Sequence, residues 1–291
     1  MTVRAPAKVN LSLRVLGKRA DGYHELDSRM FAVSVYDELE IRVSPAPRTS
    51  VGCRVHGPER VEGGPENLAA RAATAVLDRL GERRRVGIRL HKVIPFGAGL
   101  GGGSSDAAAV IRVLPGLVGR RLPLAEAHEL ARGLGADVPF FLRCRPSRAT
   151  GIGDRLRDLE RVPAGAMLIA VPKERVATAW AYRHALPSLT SRKGASRFPP
   201  FPRSVDAVEA WFFNDFQCGV ERSVESVRSA RERLLALGAR AAVLSGSGSA
   251  VVGWFEDGAA ARAALERYDG PGKTFVARVI HAAPRPVAVA S

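Results

Sequence analysis

Five glycines within seven residues constrain this 291-residue chain more than any other feature. They lie in the segment 95–106, which reads Pro-Phe-Gly-Ala-Gly-Leu-Gly-Gly-Gly-Ser-Ser-Asp between a strand-like and a helix-like stretch. Glycine tolerates positive φ and lets a ligand approach the backbone closely. A helix that begins there offers unpaired N–H groups and the positive end of its dipole. The segment therefore predicts a phosphate-binding loop, with Ser104 as the expected cap of the following helix.

Three kinds of phosphate-binding loop compete as interpretations of this segment. Gly97-x-Gly99-x-x-Gly102 fits a dinucleotide fingerprint, but that motif expects an acidic residue about 20 positions later. The chain has Arg120-Arg121-Leu122-Pro123 there instead. A Walker A loop needs a lysine before its last hydroxyl residue, and the sequence 103–105 is Gly-Ser-Ser. What remains is a loop that binds nucleotide through backbone amides without that lysine.

Composition restricts the class of protein. Apolar residues make up 46% and charged residues 25%, which is typical of a globular chain and excludes collagen-like, disulfide-scaffold and largely disordered proteins. The three cysteines (Cys53, Cys144 and Cys218) have no metal-binding spacing, so we expect them to be reduced. No apolar run reaches the ~18 residues of a membrane span, and the first residues lack an apolar signal region. These features predict a cytoplasmic protein without a membrane partner.

A net charge of +15 makes RNA binding a competing hypothesis. The surplus comes from 38 arginines and only 6 lysines, and the acidic residues are interspersed among them. The longest basic run, Arg83-Arg84-Arg85, lies in a predicted turn, whereas a nucleic-acid footprint needs a broader face. The same field would attract a phosphate-rich small substrate, so charge alone does not decide between the two.

Hydrophobic periodicity predicts an α+β fold. Apolar residues alternate over 9–15, which indicates a half-buried strand with Lys8, Asn10 and Ser12 on its other face. Further strands are predicted at 39–43, 86–94, 167–171, 241–244, 250–255 and 274–280. Helices are predicted at 68–80, 104–114, 124–134, 220–234 and 259–268, and an exposed loop at 188–203.

Three motifs together resemble the GHMP kinases, the superfamily of galactokinase, homoserine kinase and mevalonate kinase. They are Pro-Ala-Lys-Val-Asn-Leu at 6–11, the glycine-rich loop, and Leu-Ser-Gly-Ser-Gly-Ser at 244–249. The resemblance implies a domain like domain 2 of ribosomal protein S5 over residues 1–156. It also implies a ferredoxin-like domain over 157–291, with the active site in the cleft between the two.

Further motifs are similar to one branch of that superfamily. They lie at 19–26 (Arg-Ala-Asp-Gly-Tyr-His-Glu-Leu), 135–141 (Gly-Ala-Asp-Val-Pro-Phe-Phe) and 214–216 (Asn-Asp-Phe). The branch phosphorylates the 2-hydroxyl of a cytidyl diphosphate sugar alcohol, in the non-mevalonate route to isoprenoid precursors. The resemblance implies ATP with Mg²⁺ as cofactor, no nucleic-acid partner, and a monomer or weak homodimer. A GHMP kinase for another alcohol, such as homoserine, is the nearest rival.

The resemblance also assigns roles to individual residues. Asp137 would accept the proton of the substrate hydroxyl, and Lys8 would keep that carboxylate ionised. From the sequence alone, Asp137 could equally be a helix cap and Lys8 a surface lysine. The residues implied to bind ATP are Pro95, Phe96, Gly97, Ala98, Gly99, Leu100, Gly101, Gly102, Gly103, Ser104 and Ser105. No dedicated metal ligands are expected, although the Ser105 hydroxyl could reach magnesium.

Substrate binding is assigned in the same way. Tyr23 would stack on the cytosine, Tyr182 would cover its opposite face, and His24 would bond its edge. The alternative for 23–24 is an ordinary turn with two exposed rings. Asn10, Gly246 and Ser247 complete the implied substrate site. Gln217, Cys144 and Thr150 depart from the family, which has Glu, Gly and Glu at these places, and we expect local effects on packing or hydrogen bonding.

Overall fold

The computed structural model describes residues 1–59, 61–186 and 210–288, and the loop predicted at 188–203 lies outside the described residues. The first part of the chain builds one sheet and the helices on it. Its elements are β1 (Thr2–Lys18), β2 (His24–Pro45), β3 (Ser50–His56), α1 (Leu68–Leu80), β4 (Arg84–His91), α2 (Gly102–Leu117), α3 (Leu124–Leu134), α4 (Val138–Phe141), β5 (Ser147–Gly151) and β6 (Arg155–Asp158).

The second part builds another sheet. Its elements are β7 (Ala166–Val171), α5 (Thr178–Trp180), a π-helical turn (Ala181–Ala185), β8 (Phe213–Asn214), α6 (Gln217–Ser223), α7 (Glu225–Ala236), β9 (Ala241–Leu244), β10 (Val251–Phe255), α8 (Gly258–Glu266) and β11 (Lys273–Ala277). Within the described ranges, no helix is long and apolar enough to cross a membrane.

The two sheets differ in strand order. The first has the order β3-β4-β2-β1-β8, with β5 also pairing with β2 and β6 with β5. The second is antiparallel with the order β11-β7-β10-β9, the 4-1-3-2 arrangement of a ferredoxin-like fold. Both the α+β class and the ferredoxin-like expectation are therefore confirmed. Because β8 pairs with β1, the second part of the chain also contributes to the first sheet.

Three clusters of buried apolar side chains form the core. Helices α1 and α2 pack on one face of the first sheet, around Val76 and Val110. The other face of that sheet meets the second sheet, where Val9 and Ile169 share one cluster. Helices α7 and α8 cover the far face of the second sheet. Because successive strand residues point to opposite faces, β7 buries Met167 toward one cluster and its neighbours toward the other.

Several local predictions are wrong, including the turn at Arg83-Arg84-Arg85, since β4 begins at Arg84, and the end of the strand predicted at 86–94, since β4 ends at His91. Strand β1 is buried on both faces rather than half-buried, since helices cover one side of its sheet and the second sheet the other. The predicted helix at 220–234 is two helices, because Val224 has an extended backbone (φ −130°, ψ 94°). Strand β11 ends at Ala277, three residues before the predicted end. The helices at 68–80 and 124–134 are confirmed at their predicted bounds.

Candidate active site

The glycine-rich loop connects β4 to α2 through a left-handed backbone. Gly97, Gly99 and Gly101 have φ values of 69°, 78° and 69°, which residues other than glycine rarely adopt. Helix α2 begins at Gly102, and its N-cap Gly101 has no side chain to bond the first turn. The expectation that Ser104 caps this helix is therefore wrong, because Ser104 lies inside the first turn. The uncapped N–H groups remain available to an anion.

Hydrogen bonds join the loop to the first and third motifs. The Lys8 N–H donates to the Leu100 carbonyl at 2.9 Å, and the Ala250 N–H donates to the Ala98 carbonyl at 3.1 Å. The Ser245 hydroxyl donates to the Gly99 carbonyl at 3.0 Å and accepts from the Asn10 N–H at 3.2 Å. The three motifs, separated by up to 235 residues in sequence, thus form one site.

Gly99→Ala is expected to damage this junction. A Cβ at Gly99 would overlap the carbonyl oxygen of Ser245, and its φ of 78° is unfavourable for alanine. The left-handed backbone alone costs about 1–2 kcal/mol, so we expect a loss of about 2 kcal/mol or more in the free energy of unfolding. Denaturant unfolding measures it. Gly133→Ala, in an exposed stretch of α3 with open space around it, is the control and should stabilise by about 0.5–1 kcal/mol. Equal effects of the two changes would refute the close approach.

A cavity of about 690 Å³ opens beside the loop. That volume is in the range of small-molecule sites. Its walls are the loop residues 95–99 and 101–104, the segment before α1 that includes Asn67, and the side chains of Lys92, Asp106 and Arg175. The Arg175 guanidinium lies 5.4 Å from the centre of the exposed Phe96 ring. Neither the segment at 61–68 nor Arg175 carries a recognisable motif, so the sequence did not predict their place in this wall.

Behind the loop lies a buried group of three charges. The Lys92 ammonium donates to the carboxylates of Asp37 and Asp106, the latter at 2.8 Å. The second Asp37 oxygen accepts the N–H groups of Val93 and Ile94 at 2.6 and 2.9 Å. Burial raises the pKa of Asp106 to about 7, although Lys92 opposes that rise. This network ties the strand that precedes the loop to the helix that follows it.

Lys8 and Asp137 form an ion pair beside the glycine-rich loop. Their Nζ and Oδ2 atoms are 3.4 Å apart, and the ammonium also donates to Asn10 Oδ1 at 2.6 Å. The Lys8 side chain is only 6% exposed, so the surface-lysine interpretation is wrong. Asp137 occupies the N-cap position of α4, but its side chain makes no capping hydrogen bond. Its carboxylate is 34% exposed and faces the Lys8 ammonium.

Glycine is required where Lys8 passes the loop. A Cβ at Gly101 would lie 3.0 Å from Lys8 Cγ and 2.9 Å from Cζ of Phe141. The Lys8 stem and the Phe141 ring thus pack directly against the backbone that precedes α2. The close approach brings the Lys8–Asp137 pair next to the N–H groups expected to hold phosphate.

Aromatic rings stack near Asp137. The rings of His24 and Tyr182 are 4.5 Å apart and nearly parallel, and Tyr182 packs edge-on against Phe216. Burial, and then the Asp137 charge, raise the pKa of Tyr182 to about 12, which places its phenol in the field of that carboxylate. Tyr23 is 61% exposed. It is therefore His24 rather than Tyr23 that covers Tyr182 in this structure, and the assignment of both tyrosines to a base remains a prediction.

The other predicted substrate residues lie around the third motif. Asn10 donates from Nδ2 to the Ser28 hydroxyl at 2.7 Å, and the Gly246 carbonyl accepts from Asn214 Nδ2 at 2.7 Å. The hydroxyls of Ser247 and Thr178 are 3.1 Å apart. Asn10 and Gly246 are adjacent, since a Cβ at Gly246 would lie 3.6 Å from Asn10 Oδ1. Ser247 lies on the outer side of the same turn.

The family departures have visible local effects. Cys144 has φ 55°, a left-handed value that suits the glycine usual there, and its thiol donates to the Phe141 carbonyl. Gln217 Oε1 accepts the Leu244 N–H at 3.1 Å, a bond that a carboxylate could also accept. The Thr150 hydroxyl is 3.5 Å from the Arg155 carbonyl. All three remain in packing or hydrogen-bonding roles outside the Lys8–Asp137 pair.

Two buried oxygens near the loop are candidates for a metal contact. Ser105 Oγ and Asp106 Oδ1 have no hydrogen-bond partner among the described residues. Oxygen atoms of this kind are the ligands that magnesium prefers. Among the residues that the structure describes, no group of three His, Cys, Asp or Glu side chains is arranged to hold a metal ion. The donor set therefore fits a magnesium ion held mainly by phosphates and water, with at most a serine or one carboxylate from the protein.

Comparison with known proteins agrees with this geometry. Residues 67–145 match the family model described as the GHMP kinases N terminal domain, and 203–273 match GHMP kinases C terminal. A 4-diphosphocytidyl-2-C-methyl-D-erythritol kinase from Syntrophotalea carbinolica is 43% identical over 90% of this chain and 92% of its own length. One from Geobacter sp. (strain M21) is 44% identical over 94% and 96%.

Solved structures extend the comparison. A 4-(cytidine 5'-diphospho)-2C-methyl-D-erythritol kinase superposes with a TM-score of 0.77 at 38% identity, over 96% of this chain and 99% of its own. A homoserine kinase from Cytophaga hutchinsonii, 19% identical with a TM-score of 0.70 over 98% and 97% of the two chains, shares the fold alone. With this coverage and identity, the chain belongs to the GHMP kinases and, among them, to the 4-diphosphocytidyl-2-C-methyl-D-erythritol kinase family.

Proposed function

We propose that this protein transfers the γ-phosphoryl group of ATP to the 2-hydroxyl of 4-diphosphocytidyl-2-C-methyl-D-erythritol. The observation that carries the proposal is the Lys8–Asp137 pair, in which the Lys8 stem packs against Gly101 of the glycine-rich loop. A carboxylate beside an ammonium group and close to phosphate-binding N–H groups is what a kinase for an alcohol needs. The names of relatives at 43% and 44% identity support the choice of alcohol.

The mechanism follows from what each side chain can donate or accept. The substrate hydroxyl oxygen bonds to the γ-phosphorus as the bond from phosphorus to the ADP oxygen breaks, and Asp137 accepts the hydroxyl proton. Lys8 lies 3.4 Å from the Asp137 carboxylate and stabilises negative charge on the transferring group. Asn10 Oδ1 fixes the position of the ammonium. The N–H groups at the start of α2 hold the ATP phosphates.

Magnesium fits this arrangement through Ser105. Its buried hydroxyl lacks a partner among the described residues and lies in the first turn of α2. When bound, Mg²⁺ would neutralise charge on the β- and γ-phosphates. The loop residues that line the 690 Å³ cavity, 95–99 and 101–104, would hold the nucleotide by their backbone, whereas the buried Leu100 lies outside its walls.

The aromatic rings are assigned to the cytosine. Replacing Tyr182 or Tyr23 with alanine should weaken binding of the cytidyl substrate by about 1–3 kcal/mol, the range for stacking on a base. The loss should appear in KM for that substrate, while KM for ATP changes little. Steady-state kinetics with either substrate varied measures both constants. Tyr182→Phe retains the ring and is the control, and a rise confined to KM for ATP would reverse the assignment of the two sites.

His24 has a separate role in this proposal. Its ring would leave the face of Tyr182 when the base enters and would bond the edge of the cytosine. His24→Ala should then reduce discrimination between the cytidyl substrate and its uridyl analogue, because the exocyclic group at that edge distinguishes the two bases. Unchanged discrimination would contradict an edge contact.

The decisive experiment measures ATP consumption with four alcohols. We expect turnover with 4-diphosphocytidyl-2-C-methyl-D-erythritol and none above background with homoserine, mevalonate or galactose. Turnover with one of the other three alone would overturn the proposal.

The RNA-binding alternative is tested by titrating arbitrary RNA at increasing salt, since real binding should weaken steeply through counterion release.

Three expectations from the sequence remain part of this proposal. Residues 1–156 would form the domain that binds ATP and carries the catalytic pair, and 157–291 the C-terminal domain. The start of the second sheet at Ala166 supports that division, while β8 is the exception because it joins the first sheet. We also expect the enzyme to act in the cytoplasm, as a monomer or weak homodimer.

A further inference from the structure

We propose that a second cavity, at the end of α2 remote from the phosphate loop, binds a small organic phosphate. Its volume is about 420 Å³, and it lies between the last turns of α2, the start of α3 and Leu142. Three arginines line it, namely Arg112, Arg120 and Arg121. We call it the arginine cavity, and no acidic side chain of the described residues lines it.

The charge of Arg112 is poorly compensated. Its guanidinium is half-buried, and its one hydrogen bond within the described chain goes to a neutral acceptor, the Pro284 carbonyl. Burial lowers the pKa of Arg112, as expected for a cation without a nearby carboxylate. A guanidinium has five N–H donors, so most of those of Arg112 have no partner among the described residues.

The neighbouring arginines supply further donors. Arg121 is exposed and has no ion pair among the described residues. Arg120 bonds Glu82 at 2.8 Å, but the same carboxylate also pairs with Arg84 at 2.8 Å, so Arg120 is only partly neutralised. Paired N–H groups on guanidinium match phosphate oxygens, which makes phosphate the best-fitting anion.

Helix ends around the cavity favour an anion as well. The N-cap of α3 is Pro123, which offers no side-chain bond to the first N–H groups of that helix. The opposing end of α2 is neutralised internally, because the N–H groups of Val118 and Arg120 donate to carbonyls in its last turn. The positive end of the α3 dipole therefore faces the cavity, although Glu126 in the first turn of α3 offsets part of it, while the negative end of α2 is largely satisfied.

Apolar side chains that line the arginine cavity indicate the chemistry of the part of the ligand that is not phosphate. Leu122, Leu142 and Leu124 line the same cavity, and Leu124 is 62% exposed, one of the few large apolar side chains in solvent. An inorganic anion would leave these surfaces uncovered. A phosphate ester with a short apolar body would cover them and bond the arginines together.

Calorimetric titration of the full chain tests the proposal, with the ATP site saturated by a non-hydrolysable analogue. The probes are n-butyl phosphate, inorganic phosphate and n-butanol. We expect n-butyl phosphate to bind once per chain, inorganic phosphate to bind about tenfold more weakly and butanol not to bind. Absence of saturable binding would overturn the site, and equal binding of the two phosphates would overturn the apolar part.

Two variants locate the binding and separate it from kinase activity. Arg121→Ala should weaken n-butyl phosphate about tenfold, because it removes charge-assisted hydrogen bonds from an exposed side chain without disturbing packing. Arg262→Ala removes the same charge from an exposed position on α8 and should have no effect. Equal losses in both variants would mean nonspecific attraction. Since calorimetry needs no turnover, the result does not depend on whether the proposed reaction is observed.

Discussion

Asp137→Asn is expected to lower kcat by at least about 100-fold, the lower range for a positioned acid–base group. The amide retains the shape of the carboxylate but cannot accept the hydroxyl proton. ATP should still bind with similar affinity, because the glycine-rich loop is untouched. Single-turnover kinetics and nucleotide titration measure the two effects separately. Asp269→Asn, an exposed carboxylate beyond α8, is the control, and near-normal turnover of a folded Asp137→Asn protein would refute the assignment.

Lys8 should act with Asp137 as one unit. Lys8→Ala removes the cation 3.4 Å from the Asp137 carboxylate and should also reduce mainly kcat. Residues that act together give losses in the double variant that are smaller than the sum of the single losses. A double-variant cycle therefore tests the pair. Fully additive losses would show that Lys8 has an independent task, such as holding phosphate.

The helices and strands of the fold were predictable where the spacing of apolar residues is specific to one kind of secondary structure. The helix at 68–80 and the strand at 241–244 have bounds that match, since each is a clear periodic run. The break at Val224 was not predictable, because no Gly or Pro marks it. The apolar spacing from Val220 through Val227 continues across the break, as both helices bury the same side. Hydrophobic periodicity alone therefore does not reveal a single extended residue between two helices.

The site was predictable where motifs carried it, and less so where tertiary contacts did. The nearness of Lys8 to Asp137 came from resemblance, since 129 residues separate them. The Lys92 network was missed, although a signal existed. Lys92 continues the buried alternation of Ile88 and Leu90, and Asp37 does the same before Leu39. A charged residue in phase with a buried face predicts a buried partner, and Asp37 and Lys92 directly follow the last register pair of β2 with β4, Glu38–His91.

The Lys92 network leads to a prediction on stability. Lys92→Met should lower the free energy of unfolding by about 3–5 kcal/mol, because it leaves the buried carboxylates of Asp37 and Asp106 without a cation. Met matches the length of the lysine stem, so packing is largely retained. Denaturant unfolding measures the loss. Lys173→Met, at an exposed lysine, is the control and should remain within about 0.5 kcal/mol of the parent protein.

The pH dependence of that loss distinguishes buried charge from poor packing. Without Lys92 the pKa of Asp106, already raised to about 7 by burial, rises further. A carboxyl group whose pKa is higher in the folded than in the unfolded state binds more protons when folded, so stability falls as pH rises above the unfolded value of about 4. The defect of Lys92→Met should therefore be larger at pH 8 than at pH 5. Adding Asp106→Asn removes one of the two unpaired charges and should recover part of the stability at pH 8. A defect that is independent of pH and unaffected by Asp106→Asn would mean that Lys92 acts through packing alone.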